Sequence, residues 1–180
     1  MESLIETASR LQQEFENKLP PVDQWNPELS GDLDMRIDRE GRWYYQGSQI
    51  KRQSLVKMFS SILKYEGNDY YLVTPVEKWR IQVDIAPFTV IAANHKDGQL
   101  VLTTNIGNDI VVDDQHPIFV TQADDGQPLP IAIVQRGFQA LIGRSVFYDL
   151  INNAETVVAA DGTEQLMVKS GNCSFSLGSY

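Results

Sequence analysis

The chain has 180 residues, 42% of them hydrophobic, with 24 acidic against 15 basic side chains and a net charge of −9. That length holds one ordinary domain or two small ones, and the acidic balance argues against non-specific nucleic-acid binding and against attraction to an anionic membrane, both of which need dense Lys and Arg. One cysteine, Cys173, allows no internal disulfide, and with only His95 and His116 beside it there is little material for a metal site.

The run MESLIETASRLQQEFENKL has acids where a secretory signal needs positive charge, and no window approaches 18 consecutive apolar residues. A cytoplasmic protein without a membrane segment is expected. Over residues 2–19, Leu4, Ile5, Ala8, Leu11, Phe15 and Leu19 fall near helical spacing and end at Pro20-Pro21, which predicts an amphipathic lead-in helix. Its stripe packs on its own domain or meets a protein partner or a second copy. The stretch DQWNPELSGDLD (23–34) is turn-rich with Trp25 as its large anchor; Met35 to Asp38 starts a short strand, Glu40-Gly41 turns it, and Arg42 to Gln46 returns.

Residues 42–83 organise the chain. Leu55, Val56, Phe59, Ile62 and Leu63 paint one face of a helix that Ser48 caps at its start and Gly67-Asn68 stops after Tyr65. Tyr70 to Thr74 and Trp79 to Ile85 are strands joined by the Pro75 to Lys78 turn. Charge is uneven: residues 1–35 carry −6, residues 36–80 carry +4 and residues 81–180 carry −7. The organising stretch is a basic island.

Beyond Ile85, apolar runs at 88–93, 99–104, 109–113 and 118–122 alternate with turn clusters and predict a β-meander. Strands at 131–134 and 138–142 follow, then a helix from Arg144 to Ala154 with Phe147, Leu150, Ile151 and Ala154 inward, then a hairpin about Gly171-Asn172. The two helical stretches correspond, Leu55 with Phe147 and Phe59 with Ile151. The expected fold class is α+β: a lead-in helix over 1–20 and two related units, 21–87 and 88–180, each a helix packed on antiparallel β-hairpins. A seam between related units is a favoured place for a ligand.

The runs WNPELSGDLDMRIDREGRWYYQGSQIKRQSLVKMFSSIL, LVTPVEKWRIQVDIAPF, TNIGN, His116-Pro117 and GFQALIGRSVFYDLI together resemble a bacterial family known as domain of unknown function 1285, over residues 20–178. The resemblance implies an α+β protein of two repeated units, with no established activity and a suggested role in ligand sensing or signal transduction. Three positions depart from the family pattern: Gln49 stands where a proline is usual, Ser30 where a cysteine is common and Lys169 where a tryptophan is expected.

Several groups are candidates for chemistry. Ser48 with Lys51 and Arg52 at a helix start is a recipe for holding a carboxylate or phosphate, or an ordinary cap. Glu77 and Lys78 share a turn tip that belongs to the family's pattern. Asp34, Arg36 and Asp38 sit at i, i+2, i+4 and can pair along one strand face. His116 beside Asp113-Asp114 is most simply a structured turn. Arg136 and Arg144 are scarce cations in an acidic half. Hydrolase-elbow, dinucleotide, phosphate-loop and zinc-protease motifs are all missing from the sequence.

The expected function is a non-enzymatic module that binds a small anionic ligand between the two units and signals to a partner, with no cofactor and no metal. Its expected ligand-binding residues are Arg36, Arg52, Glu77, Lys78, Asn105, His116 and Arg144. Two alternatives stand beside it: an enzyme using Glu77 or His116 as general acid/base, and a purely structural interaction protein using Leu4, Leu11 and Phe15.

Overall fold

A computed structural model describes residues 2–15, 18–160 and 162–179. The chain divides into two compact units, Met1–Asp84 and Ile85–Tyr180. Among the described residues no helix is long and apolar enough to cross a membrane.

The first unit runs α1 (Glu2–Glu14), a short 3-10 turn (Val22–Gln24), β1 (Leu29–Ile37), β2 (Trp43–Tyr45), β3 (Ser48–Gln49), α2 (Gln53–Ser61), β4 (Leu63–Glu66), β5 (Asp69–Val73) and β6 (Lys78–Val83). Its sheet has the order β3-β2-β1-β6-β5-β4. All neighbours are antiparallel except β1 and β6, which run parallel at the centre. Turn chemistry explains the hairpins: Gln46-Gly47 and Gly67-Asn68 have positive φ at both residues, the backbone that a tight hairpin requires.

Gly67-Asn68 therefore closes the β4–β5 hairpin and does not stop a helix. The expected helix is cut short at Ser61 because Leu63, Lys64 and Tyr65 pair with Leu72, Tyr71 and Tyr70. At its other end Ser48 belongs to β3 opposite Tyr45, and Arg52 occupies the cap position with no side-chain capping bond. β1 begins at Leu29, well before the expected start at Met35. The lead-in helix ends at Glu14; residues 16 and 17 of the expected span lie outside the described residues.

Trp43, Met35, Ile37, Leu72 and Ile81 from the sheet, Val56, Met58 and Phe59 from α2, and Leu4, Ala8 and Leu11 from α1 are buried. Phe59 stacks on Trp43 with ring centroids 6.1 Å apart, so α2 is held on β2. Each such side chain contributes about 1.5–3 kcal/mol through burial.

The second unit contains β7 (Phe88–Lys96), β8 (Gln99–Thr104), β9 (Asp109–Val111), β10 (Ile118–Gln122), β11 (Pro128–Ile133), β12 (Gln139–Ile142), α3 (Arg144–Asn152), β13 (Glu155–Val158), β14 (Glu164–Ser170) and β15 (Cys173–Ser179). The expected single meander is two: β7-β8-β9 and β10-β11-β12, joined at the centre by the parallel pair β12–β7 in the order β10-β11-β12-β7-β8-β9. Turn residues signal only local antiparallel pairs, so neither parallel pair shows in the turn pattern. The terminal hairpin gains a third strand, β13, in a sheet of order β13-β14-β15. In α3 the most buried side chains are Val146 and Leu150, while Phe147 and Ile151 are half-buried.

Repetition takes two forms. By position in the chain, both six-stranded sheets read third, second, first, sixth, fifth, fourth, with the first and sixth strands parallel. Aligned on their helices, β1–β3, α2, β4–β6 match β10–β12, α3, β13–β15 in order, but β6 pairs with β1 in one sheet whereas β15 lies near β10 in a separate sheet.

Candidate functional site

β1 alternates Leu33, Met35 and Ile37, which are half-buried or buried, with exposed Asp32, Asp34 and Arg36. On β6, Arg80 and Gln82 share the outward face with Asp84 just beyond the strand. Asp32 stands opposite Arg80 and Arg36 opposite Gln82, so four steps along β1 span two along β6. The surplus is a β-bulge around Asp34, the kind of irregularity that re-aims side chains. Over it lies a groove of ≈ 770 Å³ lined by Asp32, Asp34, Asp69, Arg80, Gln82 and Asp84 among others. A second groove of ≈ 480 Å³ shares Asp34, Gln82 and Asp84 and adds Arg36, Arg42 and Tyr44.

The charges on this face are arranged in pairs. Arg36 donates from Nε and Nη2 to the two Asp84 oxygens at 2.8 and 2.5 Å. Arg80 Nε donates to Asp32 at 2.6 Å and its Nη1 lies 3.6 Å from Asp69. The Arg80 hydrogen bond holds the Asp32 carboxyl below the usual carboxylate range. Lys78 donates to Glu66 at 2.8 Å and stands 4.4 Å over the Tyr71 ring; that bond likewise lowers Glu66. Asp34 has no side-chain hydrogen bond or ion pair among the described residues, and its backbone oxygen accepts from the Gln46 N–H at 2.9 Å.

Of the expected ligand-binding residues, Arg36 lies on this face. In place of pairing along its own strand, Arg36 bonds to Asp84 across to β6, while Asp38 is taken up by Arg42. Lys78 lies at the other end of the β1–β6 pair, opposite Leu29. Glu77 shapes the preceding turn: its N–H donates to Thr74 Oγ1 at 3.1 Å and its carbonyl accepts from the Thr74 N–H at 2.9 Å. Arg52 lines a third groove, with Ile5, Ser9 and Met58 between α1 and α2, and its Nε donates to Ser54 at 3.0 Å. With Ser48 out on β3, the expected anion recipe at the helix start is not assembled.

In the second unit, Asn105 Oδ1 accepts from the Thr89 N–H at 3.1 Å while its own N–H donates to the Thr89 carbonyl at 2.8 Å, tying a turn to the start of β7. His116 belongs to a turn organised by Asp113, whose Oδ1 accepts from the His116 N–H at 2.7 Å and lies 3.1 Å from Nδ1. The His116 N–H lowers the Asp113 carboxyl, with the Gln115 N–H adding to it. Arg144 is the exposed first residue of α3. Asp32, Asp69, Arg80, Gln82 and Asp84 were missed; the alternation of charged with apolar residues in both strands was the signal, and the long-range parallel pairing that joins them was not visible. No group of acidic, His and Cys side chains able to hold a metal occurs among the described residues.

Two family descriptions match the chain in succession: the N-terminal domain of the domain of unknown function DUF1285 over residues 20–86, and the C-terminal domain of that family over residues 87–177. The chain belongs to the DUF1285 family. A crystal structure of a DUF1285 family protein from Silicibacter pomeroyi DSS-3 is 39% identical, with a TM-score of 0.83 over 98% of this chain and 94% of that one. A second DUF1285 crystal structure, from Shewanella baltica OS155, is 28% identical with a TM-score of 0.53 over 67% of this chain and 91% of that one. No curated protein matches. The three positions expected to depart from the family pattern have partners here: Ser30 Oγ accepts from the Lys78 N–H at 3.1 Å, Gln49 pairs with Tyr44, and Lys169 forms an ion pair with Glu155 at 2.6 Å.

Proposed function

We propose that this DUF1285 protein is a ligand-binding module of the sensing or signal-transducing kind, and that the groove over the β1 bulge is its binding site. The observation that carries this is the groove itself, ≈ 770 Å³ over the paired strands β1 and β6, within the range of small-molecule sites. Strands hold its floor, and the Arg36–Asp84 and Arg80–Asp32 pairs fix the side chains around it. A ligand would meet polar groups already oriented, so little ordering cost remains on binding.

The test is a thermal-shift screen of the full chain against small metabolites, since a ligand at 100 times its dissociation constant adds about 2.7 kcal/mol. Gln82→Trp fills the floor at an exposed position without touching the core. A hit that stabilises the parent and is lost in Gln82→Trp supports the assignment. A hit that binds this variant unchanged moves the site elsewhere.

A further inference from the structure

We propose that β13 is an interface strand, and that its occupant is the β13 of a second copy of this chain, paired antiparallel about a two-fold axis. In the sheet order β13-β14-β15 it is an edge, with β14 on one side and no strand on the other. Its residues Glu155, Thr156, Val157 and Val158 are all exposed, the two valines by 47% and 64%. Such an edge offers backbone N–H and C=O groups to any extended chain, and proteins ordinarily guard it with a lysine, a proline or a covering segment. β13 holds neither lysine nor proline and is uncovered.

The first unit shows the guarded version. β4 matches β13 when the two helices are aligned, and it too is a sheet edge. There Leu63 and Lys64 are buried. The Lys64 Nζ donates to the Trp25 carbonyl at 3.1 Å and to Asn26 Oδ1 at 2.9 Å, holding the segment before β1 against the strand. Thr156, second in β13 as Lys64 is in β4, supplies no such charge.

The remaining edges narrow the occupant. β3 and β9 have 2 and 3 residues, β4 is guarded, and β10 and β15 lie near each other. Among the described strands β13 is the longer edge left open, and a second copy presents it again, as a closed two-fold contact requires. Charge sets the direction. Glu155 is the ionised side chain of the strand, and Lys169 holds it at 2.6 Å. Antiparallel pairing keeps the two copies of Glu155 at opposite ends of the ladder, whereas parallel pairing would set them side by side. Two three-stranded sheets then become one of six strands, the size of the chain's other two sheets.

The experiment is sedimentation equilibrium of the full chain between about 10 μM and about 1 mM, the range suited to so short a ladder. The mass of the parent is expected to move toward twice that of the chain as concentration rises. Val157→Lys puts a charge on each side of the two-fold at a position already open to water, and is expected to weaken association at least about tenfold. Val76→Lys, at a more exposed valine on the β5–β6 turn, is the control and should leave association unchanged. Amide exchange over Glu155–Val158 should slow with concentration in the parent and not in Val157→Lys. A parent that is monomeric throughout, a dimer that Val157→Lys does not loosen, or one that Val76→Lys loosens equally, overturns the assignment.

Discussion

Asp38 organises the turn that leads back to Arg42: its Oδ1 accepts the N–H groups of Glu40 and Arg42 at 3.0 and 2.9 Å, and its Oδ2 accepts from the Arg42 Nε at 2.7 Å. Burial pushes this carboxyl up, but the Arg42 N–H and guanidinium outweigh it and hold it below the usual range. A carboxyl lowered in the folded state adds stability above about pH 3.9, its unfolded value, and that stability is lost as pH falls through the folded value. Urea unfolding of the parent and Asp38→Asn is therefore expected to differ at neutral pH and to converge in acid. A gap that stays constant with pH would contradict the assignment.

Phe59→Ala removes the side chain that stacks on Trp43 and is 1% exposed. A loss of about 3–5 kcal/mol is expected, read as a lower denaturation midpoint. A loss below about 1 kcal/mol would mean that α2 is not held through this contact.

Ser170 Oγ accepts the Leu100 N–H at 2.9 Å and donates to the Val112 carbonyl at 2.5 Å, with the residue 3% exposed. Ser170→Ala leaves both backbone groups without this partner and is expected to cost about 1–3 kcal/mol. Amide exchange gives a local readout: the Leu100 N–H should lose protection, and unchanged exchange there would show that the hydroxyl is dispensable.

Gly143 links β12 to α3, and a Cβ there would stand 2.9 Å from the Val90 carbonyl oxygen, the same oxygen that accepts the Gly143 N–H at 3.0 Å. Because the obstacle is backbone, Gly143→Ala is expected to destabilise the second unit despite a φ that suits any residue. A melting curve that rises with this substitution would contradict the close approach.

Cys173 donates to an Asp114 oxygen at 3.3 Å, and that bond to a carboxylate pushes the thiol up. Only the thiolate alkylates, so slow modification is expected at neutral pH. Asp114→Asn should accelerate reaction with iodoacetamide; an unchanged rate would show that the carboxylate does not govern the thiol.

Local pattern made much of this architecture readable. The spacing of Val56 and Phe59 gave α2 its buried face, and Pro75 marked the β5–β6 turn. Ser48 and Gly67-Asn68 misled because hydroxyl, glycine and asparagine serve hairpin turns as readily as helix ends, and only the pairing of Tyr65 with Tyr70 decides between them. The groove was less legible. Asp32 and Arg36 lie 48 residues before their partners Arg80 and Asp84, and the bulge that gathers them is a mismatch of register between two strands that no short window contains. The basic island is also matched from outside: its Arg36 and Arg80 pair with the carboxylates of Asp84 and Asp32, which lie beyond its bounds.

The parallel central pairs are the least local joins in either sheet. Leu29 must find Lys78, and Phe88 must find Ala140, before either sheet has a middle. Each three-stranded half can form from local turns, but joining the halves closes a long loop whose entropy is lost before the contacts compensate. During synthesis the middle of each sheet waits for its last strand to emerge. A chain whose halves formed first would present unpaired edges open to wrong partners.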